Sequence, residues 1–233
     1  MIRVFVAPLA AGELAIEGDE HHYLARVRRA RAGDPIELVD RAGQRARGVI
    51  VRIAADHTIV RADAVEAATP APPAIRALVP LIKGDRMELC LEKLVEVGAD
   101  AIVVFPAARS VVRLDGDRVA PRIARYRAAA EAAARQSGRA LVPDVGWAES
   151  LALALAGAVG QRFVLDPGAE AALPAIAEPE VTLISGPEGG LAPGELDQVT
   201  AAGFAPLGLG PRVLRAETAP VVAVALIRAH TAS

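Results

Sequence analysis

The spacing of apolar and polar residues changes character about a third of the way along the chain. Before it, short runs suited to strands alternate with turns: Arg3 to Val6, Pro35 to Val39, Ala46 to Ile53 and Thr58 to Arg61. Gly33-Asp34 and Ala42-Gly43 supply turn chemistry between them. Asp19 to Ala30 is the one helical stretch, with Asp19 as the expected N-cap. Several short strands and a single helix predict a small β-barrel. Ala68-Thr69-Pro70-Ala71-Pro72-Pro73 then reads as a linker, because so dense a proline run continues neither a helix nor a central strand.

After the linker, strand and helix alternate, the pattern of a parallel α/β sheet. The predicted strands are Ile75–Leu81, Ala101–Phe105, Arg162–Leu165, Val181–Ser185 and Ala205–Leu209. The predicted helices are Asp85–Val97, Ala120–Ser137 and Thr218–Ala229. In the first of these, Met87, Cys90, Leu91, Leu94 and Val95 recur at helical spacing and form one apolar stripe. Cys90 lies on that stripe, so it is expected to be a core thiol, not a nucleophile.

Composition narrows the function. Hydrophobic residues make up 53% of the 233, enough for a sizeable core, yet no apolar run approaches the roughly 20 residues of a membrane span. The N-terminus lacks the basic-then-apolar order of a signal peptide, and a single cysteine rules out an internal disulfide framework, so a cytoplasmic protein is expected. A net charge of −2 argues against a general polyanion binder. The positive charge is nonetheless distinctive, since lysine occurs only at Lys83 and Lys93. Arg26, Arg28, Arg29, Arg31, Arg41, Arg45, Arg47 and Arg52 gather in the first region. Arginine suits phosphate contacts, although the same residues also serve on any solvated face. At 3% aromatic, the chain is poorly suited to reading bases on exposed rings. His21 and His22 have no companion cysteine or acid cluster, so no metal site is expected.

Candidate chemistry concentrates near the C-terminus. The apolar run from Val181 ends in Gly186-Pro187-Glu188-Gly189-Gly190-Leu191, and a helix follows with Pro193 at its first position. The turn lacks the lysine and Ser/Thr of a P-loop, and its glycines miss the dinucleotide spacing. Pro187 removes a donor and Glu188 repels phosphate, so a neutral or cationic ligand fits better. An ordinary strand-to-helix turn would also account for it. A second glycine-bearing segment, Leu207 to Pro220, follows, and Leu165-Asp166-Pro167-Gly168 closes the preceding strand. The first two would lie side by side at the C-terminal edge of the sheet, where α/β proteins bind ligands.

Gly186 to Leu191 and Leu209-Gly210-Pro211-Arg212-Val213-Leu214-Arg215-Ala216-Glu217-Thr218-Ala219 closely resemble the two signature motifs of the bacterial 16S rRNA uracil-N3 methyltransferases, SPOUT-class enzymes that use S-adenosylmethionine. His21 to Arg29 and Gln136-Ser137-Gly138-Arg139 are similar to further stretches of that family, and the likeness runs through the whole chain. It implies a PUA-like β-barrel over residues 1–68, a linker at 69–74 and a trefoil-knotted α/β methyltransferase domain over 75–233. The knot comes from the resemblance alone; the residue pattern predicts an unknotted sheet. Ser185 and Arg135 depart from the family pattern, which commonly has an aliphatic residue and a glutamate there.

The resemblance also implies roles. Leu165, Asp166, Pro167, Gly186, Pro187, Glu188, Gly189, Gly190, Leu209, Gly210, Val213 and Leu214 would hold S-adenosylmethionine, mainly through backbone groups. That cofactor carries a sulfonium and no phosphate, which removes the difficulty with Glu188. The substrate would be 16S rRNA, within the assembled small ribosomal subunit, and the enzyme a homodimer. Arg26, Arg28, Arg29, Arg109, Arg135 and Arg139 are the candidate RNA contacts. Methylating N3 of uracil requires loss of its proton. Arg215 is the candidate to stabilise the resulting anion and Glu217 the candidate base; an ion pair between the two is the alternative. Ribose 2′-O methylation, a non-catalytic RNA-binding role and nicotinamide-dependent oxidoreduction fit these motifs less well.

Overall fold

The computed structural model describes residues 2–40, 43–67, 72–139, 141–170 and 173–231. The chain divides into two compact units, Met1–Thr69 with Ala134–Val142, and Pro70–Ala133 with Pro143–Ser233. Most of the predicted linker, residues 68–71, lies outside the described residues.

The first unit contains β1 (Ile2–Phe5), β2 (Gly12–Glu17), α1 (Gly18–His22), β3 (Pro35–Val39), β4 (Gln44–Ile53), β5 (His57–Ala62) and β6 (Glu66–Ala67). Its sheet runs β1-β3-β4-β5-β2, with β6 on β4. Among the described residues of this sheet, only β1 and β3 pair in parallel. Alternation along each strand sends Val4, Ile16, Ile36, Leu38, Ile50 and Val60 into one core. Leu24, on the π-helical turn Tyr23–Val27 that continues α1, completes that core with no exposed surface. The helix begins earlier than predicted: Glu17 is the N-cap, and Asp19 sits inside the first turn, where its charge favours the helix dipole. It also ends sooner, because Arg29 adopts φ 50° and turns the chain away before Ala30. Strand β2 was not expected, since only Ile16 of Gly12–Glu17 is buried and its two glutamates mask the alternation.

The second unit comprises β7 (Ala74–Pro80), α2 (Asp85–Val97), β8 (Ala101–Phe105), α3 (Val119–Ser137, its last turn counted with the first unit), β9 (Asp144–Trp147), α4 (Leu151–Ala156), β10 (Gln161–Leu165), β11 (Glu180–Ile184), α5 (Pro193–Ala201), β12 (Ala205–Leu207) and α6 (Ala219–Thr231). All six strands are parallel, in the order β12-β10-β11-β7-β8-β9. Helix α2 has the predicted bounds, and its whole apolar stripe, Cys90 included, is solvent-free. Strand β9 and helix α4 were missed. Leu151–Ala156 reads LALALA, a period-two pattern, but the Ser150 hydroxyl accepts from the Leu153 N–H at 3.2 Å and starts a helix there. Among the described residues no helix is long and apolar enough to cross a membrane.

Candidate functional site

Strand β10 lies between β12 and β11, so the two glycine-bearing loops do not follow neighbouring strands as expected. The loop after β10 sits between them in strand order, and the three loops together build one site. A cavity of about 530 Å³ opens here, lined by Leu165, Asp166 and Pro167 from the first loop, Gly186, Pro187, Glu188 and Gly190 from the second, and Leu209, Gly210, Val213 and Leu214 from the third. Arg215 and Glu217 line it too. Of the predicted cofactor residues, Gly189 alone is absent from the wall.

Local sequence explains how the loops close. A side chain at Gly186 would press on the backbone of Gly190 and Leu191, and Gly190 has φ +68°, so glycine at both ends favours the fold-back of the turn. The Gly190 N–H donates to the Pro187 carbonyl at 2.8 Å. Glu195 is buried in the first turn of α5 and fixes the turn's exit: Oε2 accepts from the Ala192 N–H at 2.8 Å and Oε1 from the Ala108 N–H at 2.7 Å. Arg109 follows in the same β8 loop and donates through Nη1 to the Gly189 carbonyl at 2.8 Å. Gly208 brings the third loop against the first, where any side chain would collide with the carbonyls of Ala169 and Glu170.

The charges in the cavity are poorly compensated. Glu188 faces Arg86 at 3.8 Å, a solvent-exposed pair of small energetic weight. Arg215 Nη1 lies 4.0 Å from Glu217 Oε1, beyond hydrogen-bond reach. Arg215 is 72% exposed in its side chain and Glu217 only 10%, so the carboxylate is in the wall and the guanidinium at the mouth. Glu217 Oε2 and Ser185 Oγ are buried without hydrogen-bond partners. Burial pushes the neighbouring Cys90 thiol up to about 12, with the Glu217 charge adding to the effect. The site offers buried acceptors and backbone groups and no phosphate-binding lysine, which suits a ligand with donor or cationic groups.

The expected RNA contacts divide. Arg26, Arg28 and Arg29 are exposed. Arg135 instead lies within its own unit, 2.6 Å from Glu20 and with its guanidinium 5.4 Å from the Phe5 ring centroid. Arg139 is half-buried, and Arg109 is turned onto the glycine-rich loop. His21 is buried: Nε2 donates to the Ala55 carbonyl at 3.2 Å, leaving Nδ1 to accept from the Thr58 hydroxyl at 2.9 Å. Among the described residues no cluster of His, Cys, Asp or Glu could hold a metal. Arg86, Ser185 and Leu207 line the cavity without having been expected there. Arg86 comes from the start of α2, a hundred residues before the glycine-rich turn, and no local pattern marks it.

A parallel sheet with a ligand cavity in its C-terminal loops, preceded by a small β unit with exposed arginines, coincides with the two RNA methyltransferase domains that family models place on this chain. The model described as the RNA methyltransferase domain matches residues 69–228, and that of the RNA methyltransferase PUA domain matches 16–62. Ribosomal RNA small subunit methyltransferase E of Mycobacterium bovis is 36% identical over 221 residues, covering 91% of this chain and 84% of its own. The Bacillus subtilis protein of that name is 31% identical over 95% of this chain and 91% of its own. The chain belongs to this ribosomal RNA small subunit methyltransferase E family. The crystal structure of the Neisseria gonorrhoeae member bound to S-adenosyl methionine superposes with a TM-score of 0.83 at 27% identity, covering 98% of this chain and 97% of that one. A Legionella pneumophila methyltransferase with bound SAM gives 0.81 at 27% identity over the same shares.

Proposed function

We propose that this enzyme uses S-adenosylmethionine to methylate N3 of a uridine in 16S rRNA, acting on the small ribosomal subunit as a homodimer. The observation that carries the mechanism is the unpartnered Glu217 Oε2 in the cavity wall. Loops Leu165–Pro167, Gly186–Gly190 and Leu209–Leu214 would hold the cofactor, largely through backbone groups, and Gly189 would act through the shape of its turn.

When bound, the cofactor supplies an electrophilic methyl group on its sulfonium. The Glu217 carboxylate accepts the N3 proton of uracil, freeing the ring-nitrogen lone pair. Arg215, exposed at the mouth, places its guanidinium against the carbonyl oxygens on which negative charge develops. The walls hold the two reactants in line and exclude water; alignment of this kind lowers a barrier by as much as roughly 7–11 kcal/mol. Arg26, Arg28 and Arg29 on the PUA-like unit would position the RNA through its phosphates.

Mass spectrometry of 16S rRNA from a strain lacking the gene, with and without complementation, tests the reaction. One 3-methyluridine should vanish and return; its persistence in the deletion strain would refute the assignment. For the base, Glu217→Gln should abolish methyl transfer while cofactor binding survives. Loss of cofactor binding would instead make Glu217 a ligand-binding residue.

A further inference from the structure

One buried polar group in the cavity has no part in that chemistry. Ser185 directly follows β11, is 1% exposed and belongs to the cavity wall, and its buried Oγ has no hydrogen-bond partner. Its backbone is held, since the N–H donates to the Leu78 carbonyl at 3.1 Å. An orphaned hydroxyl in an apolar wall is a standing cost that an alanine or valine would remove. A ligand that supplies the missing partner removes it as well.

The surroundings indicate which part of a ligand that is. Leu191 and Leu207 are buried in the same wall, with Leu209 and Leu214 beside them on the third loop. An uncharged hydroxyl among leucines suits a flat, neutral heterocycle with a polar edge. The cavity's cationic side chains are elsewhere: Arg86 is 50% and Arg215 72% exposed, and Arg212 is also exposed; of these, Arg86 and Arg212 suit a carboxylate near solvent. We propose that Ser185 recognises the purine of the cofactor, its hydroxyl accepting a hydrogen bond from the 6-amino group. This rests on the cofactor assignment above and makes Ser185 a determinant of adenine specificity.

Titration calorimetry with S-adenosylhomocysteine and its purine-riboside counterpart, whose 6-amino group is replaced by hydrogen, tests the proposal. The wild type should prefer the adenine compound. Ser185→Ala should weaken that compound about 3- to 10-fold, the effect of losing one hydrogen bond, and narrow the preference. Ser185→Thr, which keeps the hydroxyl, should restore part of it. Because Oγ has no partner in the free protein, Ser185→Ala should leave the ligand-free melting temperature unchanged or raise it. Adenine affinity within twofold of wild type, or equal losses for both ligands, would overturn the proposal. Failure of the wild type to bind either ligand would overturn the cofactor assignment, and this proposal with it.

Discussion

Arg109 Nη1 donates to the carbonyl oxygen of Gly189 at 2.8 Å and approaches that of Leu191 at 3.5 Å, so a side chain from the β8 loop fastens the glycine-rich turn from behind. Glu195 secures the same loop at the Ala108 N–H. A turn rich in glycine is entropically free when unsupported, and these contacts restrict it to one shape. Arg109→Ala is therefore expected to weaken S-adenosylhomocysteine binding about 5- to 20-fold by calorimetry, as for the loss of a charge-assisted hydrogen bond of roughly 1–2 kcal/mol. Arg109→Lys should recover part of it. If affinity for the cofactor product holds while RNA affinity falls, Arg109 is an RNA contact, as the sequence suggested.

Arg215 makes no hydrogen bond with Glu217, and its exposure leaves it available to substrate. Its replacement by alanine should leave cofactor affinity within about twofold and lower kcat by roughly 10²- to 10³-fold, the scale for losing one group that stabilises a developing oxyanion. Single-turnover methyl transfer separates chemistry from binding. A matching loss of cofactor affinity would show that Arg215 organises the loop instead.

The exposed trio on the first unit is expected to act through phosphates. Replacing Arg26, Arg28 and Arg29 together with glutamine should weaken binding to rRNA fragments of different sequence alike. It should also flatten the dependence of log K on log salt by about 2–3. An unchanged salt slope would remove these residues from the RNA surface.

Cys90, buried on α2, senses the charge of Glu217. Its thiol is held at about 12 against an ordinary 9.0, first by burial and then by the Glu217 charge. Below pH 9.0 both folded and unfolded chains keep the proton and the contribution is complete. Between 9.0 and about 12 the unfolded chain releases it first, and folding stability falls by about 1.4 kcal/mol per pH unit from this group. Burial also holds the Tyr126 hydroxyl above its ordinary value, so stability falls there too. Comparison with Cys90→Ala isolates the thiol: denaturant titrations should show a shallower decline for the variant in this range. Identical slopes would contradict the buried, charge-flanked thiol.

Most of the second unit was legible because its strands are continuous apolar runs and α2 carries a clean helical stripe. The misses have local causes. LALALA has a strand's period and becomes α4 through the Ser150 cap, while β2 carries a single buried side chain. The three cofactor loops were found from glycine and proline at strand ends, and nearly all of their residues meet in one cavity. The sequence gives no sign that β10 separates β11 from β12, because strand order depends on how the chain crosses over. Nor could it show that Arg109 faces the loop backbone or that Arg135 is engaged by Glu20 and Phe5, since each depends on contacts distant in sequence.

One arginine ties the last helix to the start of the sheet. Arg228 on α6 donates to the Gly98 carbonyl at 2.7 Å from Nη2, to the Pro73 carbonyl at 2.8 Å from Nη1, and to the Asp100 carboxylate. Asp100 in turn accepts from the Ile75 N–H at 2.8 Å, which joins the start of β7, the end of α2 and α6 in one network. The Arg228 and Asp100 side chains are 19% and 15% exposed, so breaking this pair leaves a charge largely out of water. Arg228→Met keeps the aliphatic packing and strands Asp100; it should cost about 3 kcal/mol of stability and lower Tm by roughly 6–12 °C. Asp100→Asn with Arg228→Met should recover part of that loss by removing the stranded carboxylate. Because α6 begins immediately after Glu217 and Thr218, the single variant is also expected to loosen the third cofactor loop and weaken S-adenosylhomocysteine. A melting temperature within 2 °C of wild type, measured by calorimetry with no ligand present, would show that the helix is held by its apolar face alone.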